Sequence, residues 1–207
     1  MTNTLPIVVG LGGLLGSGKD AVADLLVAEH SFAKHFMSEP MGRSLYALNP
    51  YIPIEYETNG GPNGVRFVRY RDFVDEVGYT AAKQNPEVRA LLQRLGWDVG
   101  RLIIGENTWV DIAERSMTSD RRAGLPTVLT GVRTKNEIDL IEKLGGILIW
   151  VNRPGNPYTT AASAGHLTET SVGPTDFHII VENDGTLDEL QAKVADLAAS
   201  LTSGIAA

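Results

Sequence analysis

A glycine-rich turn near the N-terminus constrains the fold of this chain more than any other feature. Residues 7–11 form a short apolar run rich in β-branched side chains, which predicts a buried strand. The turn follows at residues 13–20 with the sequence GLLGSGKD, and residues 21–29 then place apolar side chains at helical spacing. Strand, glycine turn and helix in this order are the setting in which such a turn binds phosphate. The sequence therefore predicts an α/β fold that opens with a phosphate-binding unit.

The turn carries the groups that a phosphate cradle needs. It matches the pattern G-x-x-x-x-G-K-[ST] at every position except the last. Successive backbone N–H groups of a glycine loop converge on an anion, and the next helix directs its positive end to the same place. An ordinary strand-to-helix turn is the alternative, but a lysine directly after Gly-Ser-Gly favours nucleotide binding. The residues predicted to bind ATP are Gly13, Leu14, Leu15, Gly16, Ser17, Gly18, Lys19, Asp20 and Ala21.

Asp20 stands where the pattern has a hydroxyl that would bind Mg²⁺. A carboxylate is a hard oxygen ligand and suits Mg²⁺, but it repels phosphate unless a cation lies between them. Asp20 is therefore predicted to be a metal ligand, either directly or through a water molecule. The alternative is that Asp20 only stabilises the N-terminus of the helix, an effect of about 0.3–1 kcal/mol.

Strands and helices alternate along the rest of the chain. Apolar runs predict further buried strands at residues 126–131, 147–151 and 177–181. Two capping boxes, at residues 134–137 and 186–189, predict the starts of the helices that follow the first and the last of these strands. Strands separated by helices imply a mostly parallel sheet that is covered on both faces.

Composition excludes several classes of protein. The net charge of −7 argues against a general nucleic-acid binder, because such proteins need a basic face that displaces counterions. The chain has no cysteine, which excludes disulfides and thiolate metal sites. The N-terminal apolar run lacks a basic region before it and is interrupted by glycines, so neither a signal peptide nor a membrane span is expected. A cytoplasmic location is the expectation.

Further motifs follow the glycine turn in a characteristic order. They are FMSEPMGRSLYALNP at 36–50, RALLQRLG at 89–96, WV at 109–110, VRTKNE at 132–137, RPG at 153–155, HLTE at 166–169 and NDGTL at 183–187. Together with the SGKD turn, their order and spacing resemble those of the phage deoxynucleoside monophosphate kinases. The resemblance extends over about residues 7–197.

The resemblance implies a fold and a reaction. The fold is a three-layer α/β/α P-loop NTPase with a mostly parallel central sheet and a mobile lid. A single kinase domain, residues 1–207, would contain an acceptor-binding region at about 38–118 and the lid at about 153–176. The reaction is the ATP-dependent, Mg²⁺-assisted phosphorylation of deoxynucleoside monophosphates to diphosphates. Neither a nucleic-acid polymer nor a membrane is an expected partner, a homodimer is left open, and the host cytoplasm is the expected location if the gene is carried by a phage.

The resemblance also assigns roles to individual side chains. Lys19, Arg133 and Arg153 are the predicted catalytic residues. Arg133 follows a strand end, where ligands of open α/β sheets gather. Arg153 is the first residue of the lid. The predicted acceptor-binding residues are Arg43, Gln93, Arg101, Trp109 and Arg133. A solvated surface charge is the alternative for each arginine, and core packing is the alternative for Trp109. His166 and Glu169 are candidates to order the lid.

Three departures from the family pattern keep other functions open. Ala21 replaces a threonine, Gly42 stands where a basic residue is common, and Gly131 replaces the aspartate that usually ends the second strand of the core. That aspartate would be an outer partner of Mg²⁺, so its loss leaves Asp20 as the expected carboxylate near the metal. The alternatives are a P-loop kinase of another phosphorylated small molecule and a nucleotide-binding module without catalysis.

Overall fold

A five-stranded parallel sheet forms the centre of the fold. The computed structural model describes residues 6–57, 63–156 and 171–204, with side chains to residue 202. Within them the strands are β1 Val8–Gly12, β2 Ala33–Phe36, β3 Tyr51–Tyr56, β4 Gly64–Arg69, β5 Thr127–Val132, β6 Ile147–Asn152 and β7 Ile179–Glu182. The central sheet has the order β2-β5-β1-β6-β7, and every neighbouring pair in it is parallel. Strands β3 and β4 form a separate antiparallel hairpin.

The helices of the described residues connect these strands. They are α1 Lys19–His30, α2 Glu39–Leu48, α3 Tyr70–Val77, α4 Tyr79–Ala82, α5 Pro86–Arg94, a π-helix Leu95–Ile104, α6 Thr108–Arg122, α7 Lys135–Lys143 and α8 Leu187–Gly204. Local signals explain several of the starts. The Asn85 side chain accepts hydrogen bonds from two amides of the first turn of α5, and Thr134 with Glu137 forms the predicted capping box of α7. No helix of the described residues combines the length and the apolarity that crossing a membrane requires.

The sheet is covered by helices on both faces, as the sequence predicted. Helices α1 and α8 pack on one face, where Leu26 and Val194 join Leu11 and Ile149 in a fully buried cluster. Helix α7 covers the other face, and its Ile141 lies so close to β1 that a Cβ atom at Gly10 would be 2.7 Å from it. These layers confirm the three-layer α/β/α fold.

The chain divides into two compact units. The core unit comprises Met1–Met37 and Val110–Ala207, and the inserted unit comprises Ser38–Trp109. The inserted unit has a hydrophobic centre of its own, in which Leu45, Ile52 and Tyr70 are buried. It overlaps the segment 38–118 that the sequence analysis assigned to the acceptor, and that assignment stays a prediction.

The π-helix and α4 are elements that the sequence analysis did not predict. Trp109 fixes the wide turns of the π-helix, because its indole N–H donates to the carbonyl of Gly96 at 2.8 Å. Its ring also packs against Gly100, where a Cβ atom would lie 2.3 Å from the indole nitrogen. The contact joins residues that are 13 positions apart, so no local helix propensity reports it.

The predicted lid, residues 153–176, is described only at its two ends. Residues 153–156 follow β6, and Pro174–Asp176 forms a single 3₁₀ turn before β7. His166 and Glu169, the candidates to order the lid, lie outside the described residues.

Candidate active site

The glycine turn forms a loop at the carboxyl edge of the sheet, between β1 and α1. Gly13, Gly16 and Gly18 have φ angles of 145°, 75° and 94°, a region that favours glycine. A Cβ atom at Gly13 would also lie 2.6 Å from the carbonyl oxygen of Val151. The loop therefore needs glycine both for its backbone conformation and for its close approach to β6.

Helix α1 starts at this loop with open backbone amides. Its first helical hydrogen bond runs from the Val22 amide to the Gly18 carbonyl at 3.0 Å. The amides of Asp20 and Ala21 precede that bond and have no acceptor within the helix, and Gly18 provides no side-chain cap. A helix N-terminus of this kind attracts an anion through its amides and its dipole.

The Lys19 side chain lies along the loop. It is only 6% exposed, and its Nζ donates to the carbonyl of Leu14 at 3.3 Å. A lysine in this position brings an ammonium group to the phosphate side of the helix N-terminus, as the motif requires.

Asp20 is bound to the neighbouring strand by a hydroxyl group. The Thr130 Oγ1, in the carboxyl half of β5, donates to Asp20 Oδ1 at 2.9 Å. The usual motif has a hydroxyl on the loop, and the family pattern has an acid at the strand end. In this chain the carboxylate belongs to the loop and the hydroxyl to the strand, and a hydrogen bond joins them. No cluster of three or more His, Cys, Asp or Glu side chains that could hold a metal occurs within residues 6–57, 63–156 and 171–204.

Gly131, where the family pattern has an acid, is a bulge residue in β5. Leu11 is paired with Thr130, but the next residue of β1, Gly12, is paired with Val132. Gly131 therefore has no pairing partner in β1. Its φ angle is 82°, which a side chain with a Cβ adopts only with strain. A glycine at this position therefore adopts the positive φ angle of the bulge without strain.

Arg133 follows β5 and shares a small cleft with the glycine loop. The cleft is lined by Gly13, Leu14, Val132, Arg133, Trp150 and Val172. The Arg133 amide donates to the buried carboxylate of Glu137 at 2.7 Å, and Ser171 donates its hydroxyl to the Arg133 carbonyl. Two bonds therefore fix the backbone at Arg133 beside the predicted phosphate site.

Arg153 also contacts the glycine loop. Its Nη1 donates to the carbonyl of Gly16 at 3.4 Å, and the contact is exposed. Lys19, Arg133 and Arg153 are thus all placed around the glycine loop by the core unit. Their catalytic roles stay predictions.

The remaining predicted acceptor residues belong to the inserted unit. Arg43 and Gln93 are exposed, and the Arg101 guanidinium lies over the Trp97 ring at 5.8 Å. Trp109 is only 6% exposed, and its contacts with the π-helix match the packing alternative left open for it. Gly42 packs beneath Tyr79, whose ring would lie 2.6 Å from a Cβ atom, so a basic side chain at this position would displace that ring.

Three polar residues near the loop were not predicted to contact it. Thr130 and Asn156 were not singled out in the sequence, and Asn183 was named only within the NDGTL motif at 183–187. Asn156 Nδ2 donates to the Leu15 carbonyl at 2.7 Å, and Asn183 Nδ2 donates to the Ser17 carbonyl at 2.9 Å. Asn156 and Asn183 both come after the carboxyl end of a parallel strand. This position is where ligand sites of α/β sheets form, and it was the sequence signal that could have identified them.

Comparisons with known proteins agree with this geometry. The profile of the family described as deoxynucleotide monophosphate kinase matches residues 41–194. A deoxynucleotide monophosphate kinase of Enterobacteria phage T4 is 23% identical over 238 residues, covering 90% of this chain and 96% of the relative. The crystal structure of TT1252 from Thermus thermophilus is similar at 18% identity with a TM-score of 0.50, covering 95% of this chain and 98% of that one.

The structural comparison supports the fold, and the profile and the phage relative support the family. The likeness to TT1252 concerns the fold alone, whereas the profile spans most of the chain. The chain therefore belongs to the deoxynucleotide monophosphate kinase family and is a nucleotide kinase.

Proposed function

We propose that this chain transfers the γ-phosphoryl group of ATP to a deoxynucleoside monophosphate. A phosphate oxygen of the acceptor would form a bond to the γ-phosphorus while the bond to the β,γ-bridging oxygen breaks. The products would be ADP and a deoxynucleoside diphosphate. The observation that carries the proposal is the glycine loop with buried Lys19 at the N-terminus of α1, in a chain of this family.

The donor phosphates would be held by the core unit. Phosphoryl transfer requires little covalent work from the protein, and positioning with charge stabilisation provides nearly all of the catalysis. The open amides at the start of α1 and the Lys19 ammonium supply positive charge at one place. Arg133 lines the same cleft as Gly13 and Leu14 and would contact the acceptor phosphate or the transferring group.

The groups around Asp20 fit a magnesium ion. Mg²⁺ takes oxygen ligands, and in phosphate sites it uses one or two carboxylates, substrate phosphates and water. Asp20 provides one exposed carboxylate whose orientation is fixed by the Thr130 hydroxyl. When bound, the ion would neutralise part of the charge on the donor phosphates. The Thr130 hydroxyl would orient the Asp20 carboxylate toward the ion.

An ADP-release assay across nucleotide acceptors tests this function. The four deoxynucleoside monophosphates and their ribose counterparts would each be supplied with ATP and Mg²⁺. Turnover with at least one deoxynucleotide supports the proposal, and ATP binding without turnover on any of them would favour a non-catalytic binding module. If none of these nucleotides reacts, ADP release in the same assay with a phosphorylated compound that is not a nucleotide would favour the other small-molecule kinase. A homodimer and a host-cytoplasmic location stay predictions.

A further inference from the structure

Four consecutive carbonyl groups of the glycine loop accept hydrogen bonds from side chains. The contacts are Lys19 Nζ to Leu14 at 3.3 Å, Asn156 Nδ2 to Leu15 at 2.7 Å, Arg153 Nη1 to Gly16 at 3.4 Å and Asn183 Nδ2 to Ser17 at 2.9 Å. The two asparagine contacts have the lengths of ordinary N–H···O bonds, and the two cationic contacts are longer. The asparagines therefore provide the firmest side-chain hold on this loop among the described residues.

Both asparagines are themselves fixed to the end of the sheet. Asn156 is only 5% exposed, and its amide donates to the Arg153 carbonyl at 3.2 Å. Asn183 directly follows β7, and its amide donates to the Asn152 carbonyl at the end of β6 at 2.7 Å. A Cβ atom at residue 18 would lie only 2.3 Å from Asn183 Nδ2. Because Gly18 has no Cβ, it permits this close approach.

Holding a carbonyl group also orients the next backbone amide. In a planar trans peptide the C=O and the N–H of the following residue point in opposite directions. The bond to the Leu15 carbonyl therefore turns the Gly16 amide away from Asn156, and the bond to the Ser17 carbonyl turns the Gly18 amide away from Asn183. In the described part of the chain neither of these glycine amides donates a hydrogen bond to another protein group.

We propose that Asn156 and Asn183 are positioning residues that hold the glycine loop in its phosphate-binding shape before a nucleotide arrives. They act through the peptide groups and need no contact with the ligand. Because the loop is ordered in advance, less conformational entropy is lost when the polyphosphate binds. This inference rests on the proposed function in taking the loop as the site of the donor phosphates.

Binding of a ligand without a base separates this role from a contact with the donor base. The probes are inorganic tripolyphosphate and a fluorescent N-methylanthraniloyl ATP, each with Mg²⁺. We expect N183A and N156A each to raise the Kd of both probes about fivefold, the size expected for one net hydrogen bond. Weakening of the ATP analogue alone would assign Asn183 to the base and overturn the proposal, as would unchanged Kd values for both probes.

Asn152 provides the matched control for these variants. It ends β6, and its side chain donates to Glu182 Oε2 at 2.8 Å and not to the glycine loop. N152A should therefore leave both Kd values within twofold of the wild type. If the buried position makes N156A unable to fold, the half-buried Asn183 decides the question, with N183L as a second variant that removes the donor without adding charge.

Hydrogen exchange in the ligand-free protein tests the same hold without any binding. The Ser17 amide donates to the Leu14 carbonyl at 3.1 Å inside the loop, so its exchange rate reports opening of the loop. We expect that rate to rise about fivefold in N183A and to stay unchanged in N152A. An unchanged rate in N183A would overturn the proposal. If exchange is faster in N183A but the wild-type protein binds neither probe, the proposed function is contradicted while the hold on the loop stands.

Discussion

Lys19 is a charged residue in an almost fully covered position. Burying an ammonium is unfavourable unless hydrogen bonds replace its water, and the Leu14 carbonyl supplies one of them. The side chain therefore has two effects, since it brings charge to the phosphate site and also ties the loop that carries it. Its substitution should act on both rate and local order.

The first prediction concerns the rate of K19A. Loss of the ammonium should lower kcat about 10²–10³-fold, as for the loss of one preorganised group that stabilises transition-state charge. Steady-state ADP release measures this effect. The control is K143A, because Lys143 forms an exposed ion pair with Glu114 and should not affect turnover. A K19A enzyme with wild-type kcat would exclude the glycine loop as the site of the transferred phosphate.

The second prediction concerns the magnesium dependence of two variants. If Asp20 binds the ion and Thr130 orients Asp20, both D20A and T130V should need more Mg²⁺ for half-maximal rate. The shift should be about tenfold or more for D20A and about threefold for T130V, because the latter loses only one orienting hydrogen bond. Binding of Mn²⁺ to the ATP complex, followed by electron paramagnetic resonance, should weaken in the same order.

Two further variants control the metal prediction. T130S keeps the hydroxyl and should restore the wild-type titration, whereas D24A removes an acid of α1 that pairs with Lys34 and should leave it unchanged. If D20A and the wild type have superimposable Mg²⁺ titrations, Asp20 acts only at the helix N-terminus.

Among the elements, β5 differs from a regular strand at Gly131. The bulge leaves this residue at a φ of 82° with no neighbouring atom within 4 Å of a built Cβ. Strain at this position therefore comes from the backbone and not from a steric clash. The hydrogen bond between the Thr130 hydroxyl and the Asp20 carboxylate lies directly beside this bulge.

The third prediction is that G131A lowers the free energy of unfolding by about 1–2 kcal/mol, the cost of a Cβ in the left-handed region. Urea denaturation measures the change. The control is G173A, because Gly173 has an extended φ of −137° and also has no atom near a built Cβ; this variant should be neutral or slightly stabilised. Equal stability of G131A and the wild type would show that the bulge is not fixed in solution.

Elements defined by local chemistry could be predicted from the sequence, and elements defined by distant contacts could not. Thr134 and Thr186 cap helices through amides only three residues away, and both starts were predicted correctly. The π-helix depends on Trp109, and the hold on the loop depends on Asn156 and Asn183, which are 141 and 166 residues from the carbonyls that they bind. Periodicity within a short window contains no information about such pairs.

At the scale of the whole molecule, the inserted unit has its own hydrophobic centre, which contains a buried hydroxyl group without a hydrogen-bond partner among the described residues. Tyr70 is fully buried there, and its hydroxyl has no hydrogen-bond partner among the described residues. Burial raises the pKa of the Tyr70 phenol from its ordinary value of 10.0 to about 12. The folded chain therefore favours the neutral phenol, and the unfolded chain ionises first as the pH rises.

The fourth prediction follows for the pH dependence of unfolding. The stabilisation from neutral Tyr70 is complete below pH 10 and is lost between about pH 10 and 12, because only the unfolded state releases the proton there. Y70F should remove that part of the decline and should be more stable at pH 7 by about 1 kcal/mol, since no unpaired hydroxyl remains buried. Chemical denaturation at pH 7 and 10.5 measures both. Y56F, which changes an exposed tyrosine, is the control, and an identical alkaline decline in Y70F and the wild type would contradict the assignment.

The distances along the chain between the loop and its asparagines also affect synthesis of the protein. The ribosome makes the Leu15 and Ser17 carbonyl groups 141 and 166 residues before it makes Asn156 and Asn183, the asparagines that bind them. A nascent chain therefore contains the signature of a nucleotide site long before it contains the side chains that shape it. Competence to bind nucleotide should arise late, when the last strand of the sheet is in place.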